Sequence, residues 1–252
     1  MHNSAVDFQH IRWIAFDAVD TLIKPTPSVA AVYHAAGLRH GSQLSLEQIS
    51  ARFRLAFARA EEEGVLSCDC VAAGEPWHTC ENRERLRWKS IVEAVLDDVA
   101  DQAACFQDLF VHFGRPSTWI CFADVEGTLV DLRDRGFRLA VSSNFDARLN
   151  SVMDGLPQLE PIELRLISSE VGYRKPGGRF FESLLARTGC RPSEILFVGD
   201  NPRTDIAAAD AIGIPSLRID RSSHERQNLV LRSLSEIVER VDRAAAPEFK
   251  LS

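Results

Sequence analysis

Apolar residues fall in two rhythms along this chain, and each rhythm occupies its own stretch. Short unbroken apolar runs, the mark of buried strands, occur at "IRWIAFD" (11–17), "FRLAVSS" (137–143), "LRLIS" (164–168), "ILFVGD" (195–200) and "IPSLRI" (214–219). Segments with helical spacing separate them: "DVEGTLVDLRDRG", "GRFFESLLARTG" and "RTDIAAADAIG", each closing on a Gly suited to a helix C-cap. Strands alternating with helices of this length predict an α/β fold, a three-layer Rossmann-like parallel sheet with helices on both faces.

Between about residues 25 and 117 the strand rhythm disappears. "PSVAAVYHAAGL", "SLEQISARFRLAFARAEEEG", "CENRERLRWKSIVEAVLDDVA" and "QAACFQDLFVHFG" all carry helical spacing, and Ser45 and Gln48 stand at capping-box distance. An all-helical block inside an α/β chain reads as an insertion forming its own small bundle. The expected division is therefore a core of residues 1–24 and 118–252 with a helical domain, 25–117, inserted into it. No internal repeat or low-complexity segment interrupts this pattern, and "AAAPEFKLS" reads as a frayed tail.

Composition narrows the class of protein. The chain has 252 residues, of which 45% are hydrophobic and 26% charged, ordinary proportions for a globular protein. A net charge of −7 argues against a nucleic-acid partner, which would call for a basic face. No run of ~18 apolar residues is present, so no membrane span is expected. The opening "MHNSAVDFQH" lacks the regions of a secretory signal, and six cysteines do not make a dense disulfide framework. A cytoplasmic location is the expectation.

Candidate chemistry recurs where strands end, the edge at which open parallel sheets place their sites. Asp17 closes the first strand; alone it reads equally as a turn-capping carboxylate, and Asp20 is read as a turn residue. Ser143 and Asn144 close the second, where a hydroxyl and an amide could hold an anionic oxygen or cap the following helix. Lys175 precedes a Pro that can open a helix, so an anion there would meet both an ammonium and a helix N-terminus. Asp200 closes the "ILFVGD" strand and Asp205 follows. Three acids brought together would repel one another, and oxygen ligands of this kind suit Mg²⁺.

In this order, Asp17, Ser143, Lys175, then Asp200 with Asp205, the sequence resembles the haloacid dehalogenase superfamily of hydrolases. The strings "FRLAFARA", "RWKSIV", "PSTW", "SNFD" and "VGYRKP" are similar to its haloacid dehalogenase-like hydrolase domain-containing protein 3 group. The resemblance implies that the helical insertion is a cap and that Asp17 is a nucleophile. It implies Mg²⁺ held by Asp17, the Val19 carbonyl and Asp200, with Asp205 organising the metal's surroundings. Lys175 would neutralise charge and Ser143 would bind a phosphoryl oxygen, with Asn144 beside it. The expected substrate is a small phosphorylated molecule, and the cap would close about hinges near Lys24–Pro25 and Arg115–Pro116.

Val19 departs from the phosphatase pattern of that superfamily, where a second acid protonates the leaving oxygen. Such a group is usually worth about 10²–10⁴ in rate. Asp20, or a cap histidine such as His34 or His78, could substitute for it. A 2-haloacid dehalogenase also lacks this acid, because halide needs no proton, but those enzymes generally lose the Gly-Asp kept here as Gly199-Asp200. A phosphate- or Mg²⁺-binding regulatory protein with vestigial catalysis is the reading from a different class. In the insertion, Cys68, Cys70, His78 and Cys80 are spaced more tightly than common structural zinc sites and are read as thiols. Trp77, Trp88 and Trp119 are read as packing residues.

Overall fold

The computed structural model describes residues 6–62, 77–223 and 228–245. In chain order its strands and helices are β1 (Trp13–Phe16), β2 (Ile23–Pro25), α1 (Val29–Arg39), α2 (Leu46–Glu62), α3 (Glu81–Val95), α4 (Gln102–His112) and β3 (Trp119–Cys121). There follow α5 (Val125–Asp134), β4 (Arg138–Ser143), α6 (Arg148–Asp154), β5 (Leu164–Ile167), α7 (Ser168–Val171), α8 (Gly178–Thr188) and β6 (Ile195–Gly199). The last are α9 (Ala208–Ala211), β7 (Ser216–Ile219), β8 (Val230–Leu231) and α10 (Ser235–Ala245).

Six strands form one parallel sheet in the order β5-β4-β1-β6-β7-β8. β1 lies inside it, with Phe16 level with Val141 on one side and Val198 on the other. Its four residues are apolar and buried because both faces of the sheet are covered. Side chains alternate: Ile14 and Phe16 join Leu129, Leu149 and Ile237 on one face, while Trp13 and Ala15 join Phe180, Phe181 and Ala209 on the other. This is the three-layer arrangement expected from the two rhythms. Truncating a ring such as Phe16 there costs about 3–5 kcal/mol. Gly189 ends α8 in the left-handed region, at φ +66°, where its N–H reaches the Leu185 carbonyl. From β1 the sheet grows in both directions, so the strand order reverses at its C-terminal end, beside Asp17.

Helices α1 to α4 enclose a separate apolar cluster that includes Val32, Tyr33, Ile49, Ile91, Val95 and Phe106. The chain enters and leaves this bundle through an antiparallel ribbon, β2 with β3, in which Ile23 faces Cys121 and Pro25 faces Trp119. The sequence carries no strand signal for the ribbon, because three-residue strands beside prolines show too little alternation. The segment 203–213, expected as one helix, is instead a π-helical turn (Pro202–Ala207) leading into the short α9. Among the described residues no helix is long and apolar enough to cross a membrane.

Candidate active site

Asp17 leaves β1 with its N–H donating to the Val198 carbonyl at 2.8 Å, so the sheet ladder fixes where its side chain starts. Lys175, distant in sequence and buried, donates from Nζ to Asp17 Oδ1 at 2.7 Å and to Asp205 Oδ1 at 2.6 Å. Asn144 places that lysine. Its Oδ1 accepts the Lys175 N–H at 2.8 Å and its Nδ2 donates to the Lys175 carbonyl at 2.9 Å. Both ends of the amide are thus engaged with main chain, and Asn144 ties its strand end to Lys175. Asp205 is held in turn by the Asn201 N–H, 3.0 Å from Oδ2. Gly199 makes this packing possible: a Cβ there would stand 2.4 Å from Asp205 Oδ2 and 2.6 Å from its Cβ.

Asp17, Asp200 and Asp205 converge, one oxygen from each lying within 4.8 Å of the others. Burial pushes Asp17 up to about 6, and Lys175 partly offsets this. Asp200 rises to about 7, first through burial and then through the charges of Asp17 and Asp205. Burial would lower Lys175, but Asp17 and Asp205 outweigh it and hold the ammonium above the ordinary lysine value. Three carboxylates against one ammonium leave an excess of negative charge. The donors are all hard oxygens, a set that fits Mg²⁺.

Ser143, Asn144, Val19 and Asp20 line the same cavity as Asp17, Lys175, Asp200 and Asp205. Val19 also packs against the core cluster and offers no proton. Asp20 adopts φ +63°, a turn conformation that Asp tolerates, and its N–H reaches the Ile23 carbonyl at 2.8 Å. Neither His34 nor His78 is among the lining residues; His78 instead packs edge-on against Tyr173 at 5.3 Å. Of the cysteine and histidine group in the insertion, Cys68 and Cys70 lie outside the described residues, while Cys80 precedes α3 as its N-cap residue.

The cavity extends from the strand ends into the helical insertion and has a volume of about 360 Å³. Nine of the chain's 14 Phe, 4 Trp and 2 Tyr residues line it. Rings touch in sequence across it. Trp88 meets Phe57 (6.1 Å between centroids), which stacks on Phe53 (5.8 Å), which meets Tyr33 edge-on (5.1 Å). Tyr33 reaches Phe113 (6.2 Å), and Trp119 then joins Phe113 to Phe145, next to Asn144. Trp88 and Trp119, expected only to pack, are walls of this cavity as well. Helical spacing marks these rings as core, and nothing in it tells which core faces open onto a cavity.

Ion pairs and main-chain bonds join insertion to core. Glu61 on α2 meets Arg87 on α3 and, at 2.6 Å, Arg174, which immediately precedes Lys175. Burial would raise the Glu61 pKa, but Arg174 and then Arg87 hold it below the usual glutamate value. Arg148 grips Asp146 through Nε and Nη2 at 2.7 Å each and donates to the Phe110 carbonyl in α4 at 2.6 Å. The Arg174 N–H donates to the Trp77 carbonyl at 2.9 Å, and the Thr79 N–H to that of Gly172 at 2.9 Å. Neither the Glu61 cluster nor Arg148 carries a motif, and sequence reasoning missed both.

Comparison with known proteins gives this geometry a context. Haloacid dehalogenase-like hydrolase domain-containing protein 3 of Danio rerio is 28% identical over 241 residues, covering 92% of this chain and 96% of that protein. A phosphoserine phosphatase of Thermus thermophilus is 26% identical over 222 residues, covering 84% of this chain and 89% of its own. The crystal structure of a 2-haloacid dehalogenase from Pseudomonas syringae superposes with a TM-score of 0.60 at 20% identity, over 93% of this chain and all of that one. Phosphatases and a dehalogenase therefore share this fold, and the fold does not choose between them. The family profile described as haloacid dehalogenase-like hydrolase matches residues 11–213, and the chain belongs to that family.

Proposed function

We propose that the protein is a Mg²⁺-dependent phosphatase that takes the phosphoryl group of a small ester onto Asp17. The observation that carries the reading is the cluster itself: Asp17, Asp200 and Asp205 within 4.8 Å of one another, with Lys175 donating to both Asp17 and Asp205. Asp17, the Val19 carbonyl and Asp200 would hold the ion, with Asp205 beside it. When bound, Mg²⁺ supplies charge neutralisation for a phosphoryl group.

An Asp17 oxygen attacks phosphorus as the ester P–O bond breaks, and the leaving group takes the bonding pair. Water then attacks phosphorus, the P–O bond to Asp17 breaks, and inorganic phosphate leaves with the carboxylate restored. Lys175 balances the nucleophile before attack and the phosphoryl charge during it, while Ser143 donates to a phosphoryl oxygen. Val19 gives the leaving oxygen no proton, so it departs as an anion. Phosphoryl transfer draws mostly on positioning and charge neutralisation, so this omission weakens turnover without abolishing it. In this reading the insertion, residues 25–117, is a cap whose closure on the β2–β3 ribbon shuts out water.

Val19 specifically favours a second reading, dehalogenation, in which an Asp17 oxygen attacks carbon and expels halide. The same screen separates the two: phosphate esters against 2-haloacids, each with Mg²⁺ and with EDTA. Turnover of p-nitrophenyl phosphate that EDTA removes is expected. Turnover of 2-chloropropionate in EDTA, with phosphate esters untouched in Mg²⁺, would overturn the phosphatase reading. With neither class turned over, the site would be a binding site with vestigial catalysis.

A further inference from the structure

We infer that the leaving-group side of the cavity takes a flat, uncharged aromatic group, so that the substrates are aromatic phosphate monoesters. The phosphate half of this statement rests on the proposed phosphatase reading; the aromatic half rests on the cavity alone.

Asp17, Ser143, Lys175 and Asp200 line the strand-end side of the cavity, while Glu61, Arg87 and Arg148 are the charged residues set among its rings. Beyond the strand ends the walls are rings from four helices, strand β3 and two loops, and the run from Phe145 to Trp88 has contact at every step. A volume of about 360 Å³ lies at the lower end of the range for small-molecule sites, about 300–1,000 Å³. Ring faces and edges on several sides select a planar π system over a sugar, whose hydroxyls would lose water there without gaining partners.

Charge narrows the class further. Among the described residues, each cation lining the cavity is already matched by carboxylates. Arg87 faces Glu61 and Glu84, Arg148 is gripped by Asp146, and Lys175 lies between Asp17 and Asp205. A leaving group carrying its own carboxylate would have to take a guanidinium from its partner, leaving that partner buried and unpaired. Val19 points the same way by a separate route. A phenol is far more acidic than an aliphatic alcohol, and it departs unprotonated where an alkoxide leaves poorly. The missing acid and the ring-lined cavity thus fit one substrate class, although they lie on different elements.

The test uses hydrolysis-inert probes on the full chain with Mg²⁺: 2-naphthylmethylphosphonate, ethylphosphonate, and the naphthyl probe bearing a ring carboxylate. The plain naphthyl probe is expected to bind at least about tenfold more tightly than ethylphosphonate, and the carboxylate to remove most of that gain. Phe57→Ala is expected to narrow the naphthyl-to-ethyl ratio in a protein whose melting curve remains cooperative. Equal affinities for the naphthyl and ethyl probes, or no loss on adding the carboxylate, would overturn the inference. 2-Naphthylmethanol without any phosphonate, followed by Trp88 and Trp119 fluorescence, keeps the two readings apart. If it binds and no phosphate ester is turned over, the ring site stands and the phosphatase reading falls. If it fails to bind while p-nitrophenyl phosphate is hydrolysed, the ring site falls alone.

Discussion

At the strand ends, Asp17, Lys175 and Asp205 are joined by hydrogen bonds of 2.6 and 2.7 Å, whereas the opposite wall of the same cavity is rings spaced 5.1–6.2 Å apart. The first region is directional. Asp17, Lys175 and Asp205 each have a partner that fixes them, and the β1 register and the Asn144 clamp on Lys175 decide where those partners stand. The second region is held by packing, which is non-directional and tolerates volume-conserving exchange. In the proposed reading, the chemistry that must not vary lies at the sheet edge, and selection of the leaving group lies with helices that can be repacked.

The largest expected effect lies on the directional side. Asp17→Asn leaves Lys175 and Asp205 in place but cannot form an acyl phosphate, so turnover of p-nitrophenyl phosphate should fall at least about 10³-fold. An Asn variant with near-parent kcat would remove Asp17 from its role.

Next comes the contact between the two regions. Glu61→Gln strips the countercharge from buried Arg174 and leaves buried Arg87 with Glu84 alone, and should cost about 3 kcal/mol in a urea titration. Because the folded Glu61 pKa lies below its ordinary value, the stability that it contributes is complete at neutral pH. That contribution is lost as pH falls through the depressed folded value, below the usual glutamate range. Parent and variant stabilities should therefore converge in acid; a constant difference down through that range would show that the charge pair is not what joins α2 and α3 to the Arg174 loop.

Much of the directional region is legible in the amino-acid sequence, and most of the packed one is not. Asp17, Ser143, Asp200 and Lys175 each follow an apolar run or precede a Pro, and a parallel sheet brings strand ends to one edge wherever they fall in sequence. By contrast, the rings of the cavity are spread from Tyr33 to Phe145 on separate elements, and their helical spacing is the same whether a face meets protein or a cavity. Glu61, Arg87 and Arg174 look like surface charges in sequence, because only the docking of α2 and α3 against the Arg174 loop buries them. The role of Asn144 is half visible: its place at a strand end is clear, but its partners are main-chain atoms 31 residues away.

Two smaller effects sharpen the contrast. Val19→Asp should raise kcat/KM for alkyl phosphates by up to about 10²-fold while aryl phosphates gain little, once fold and Mg²⁺ binding are shown to be intact. Parallel gains for both classes would mean that the leaving oxygen already receives a proton, with Asp20, which lines the cavity, the first group to test. Gly199→Ala forces a Cβ to within 2.4–2.6 Å of Asp205 and should destabilise the protein by about 1–3 kcal/mol. A neutral result in thermal unfolding would show that Asp205 can move off the strand end without loss.

The central claim, that Asp17 carries the phosphoryl group with no acid–base partner at Val19, is tested most directly by rapid acid quench of the parent protein mixed with labelled p-nitrophenyl phosphate. Without a base to activate water, the second step should lag the first. The protein is therefore expected to show a near-stoichiometric burst of label on Asp17, lost in Asp17→Asn and shorter-lived in Val19→Asp. Steady turnover of the ester with no label on Asp17 at any quench time would contradict the account.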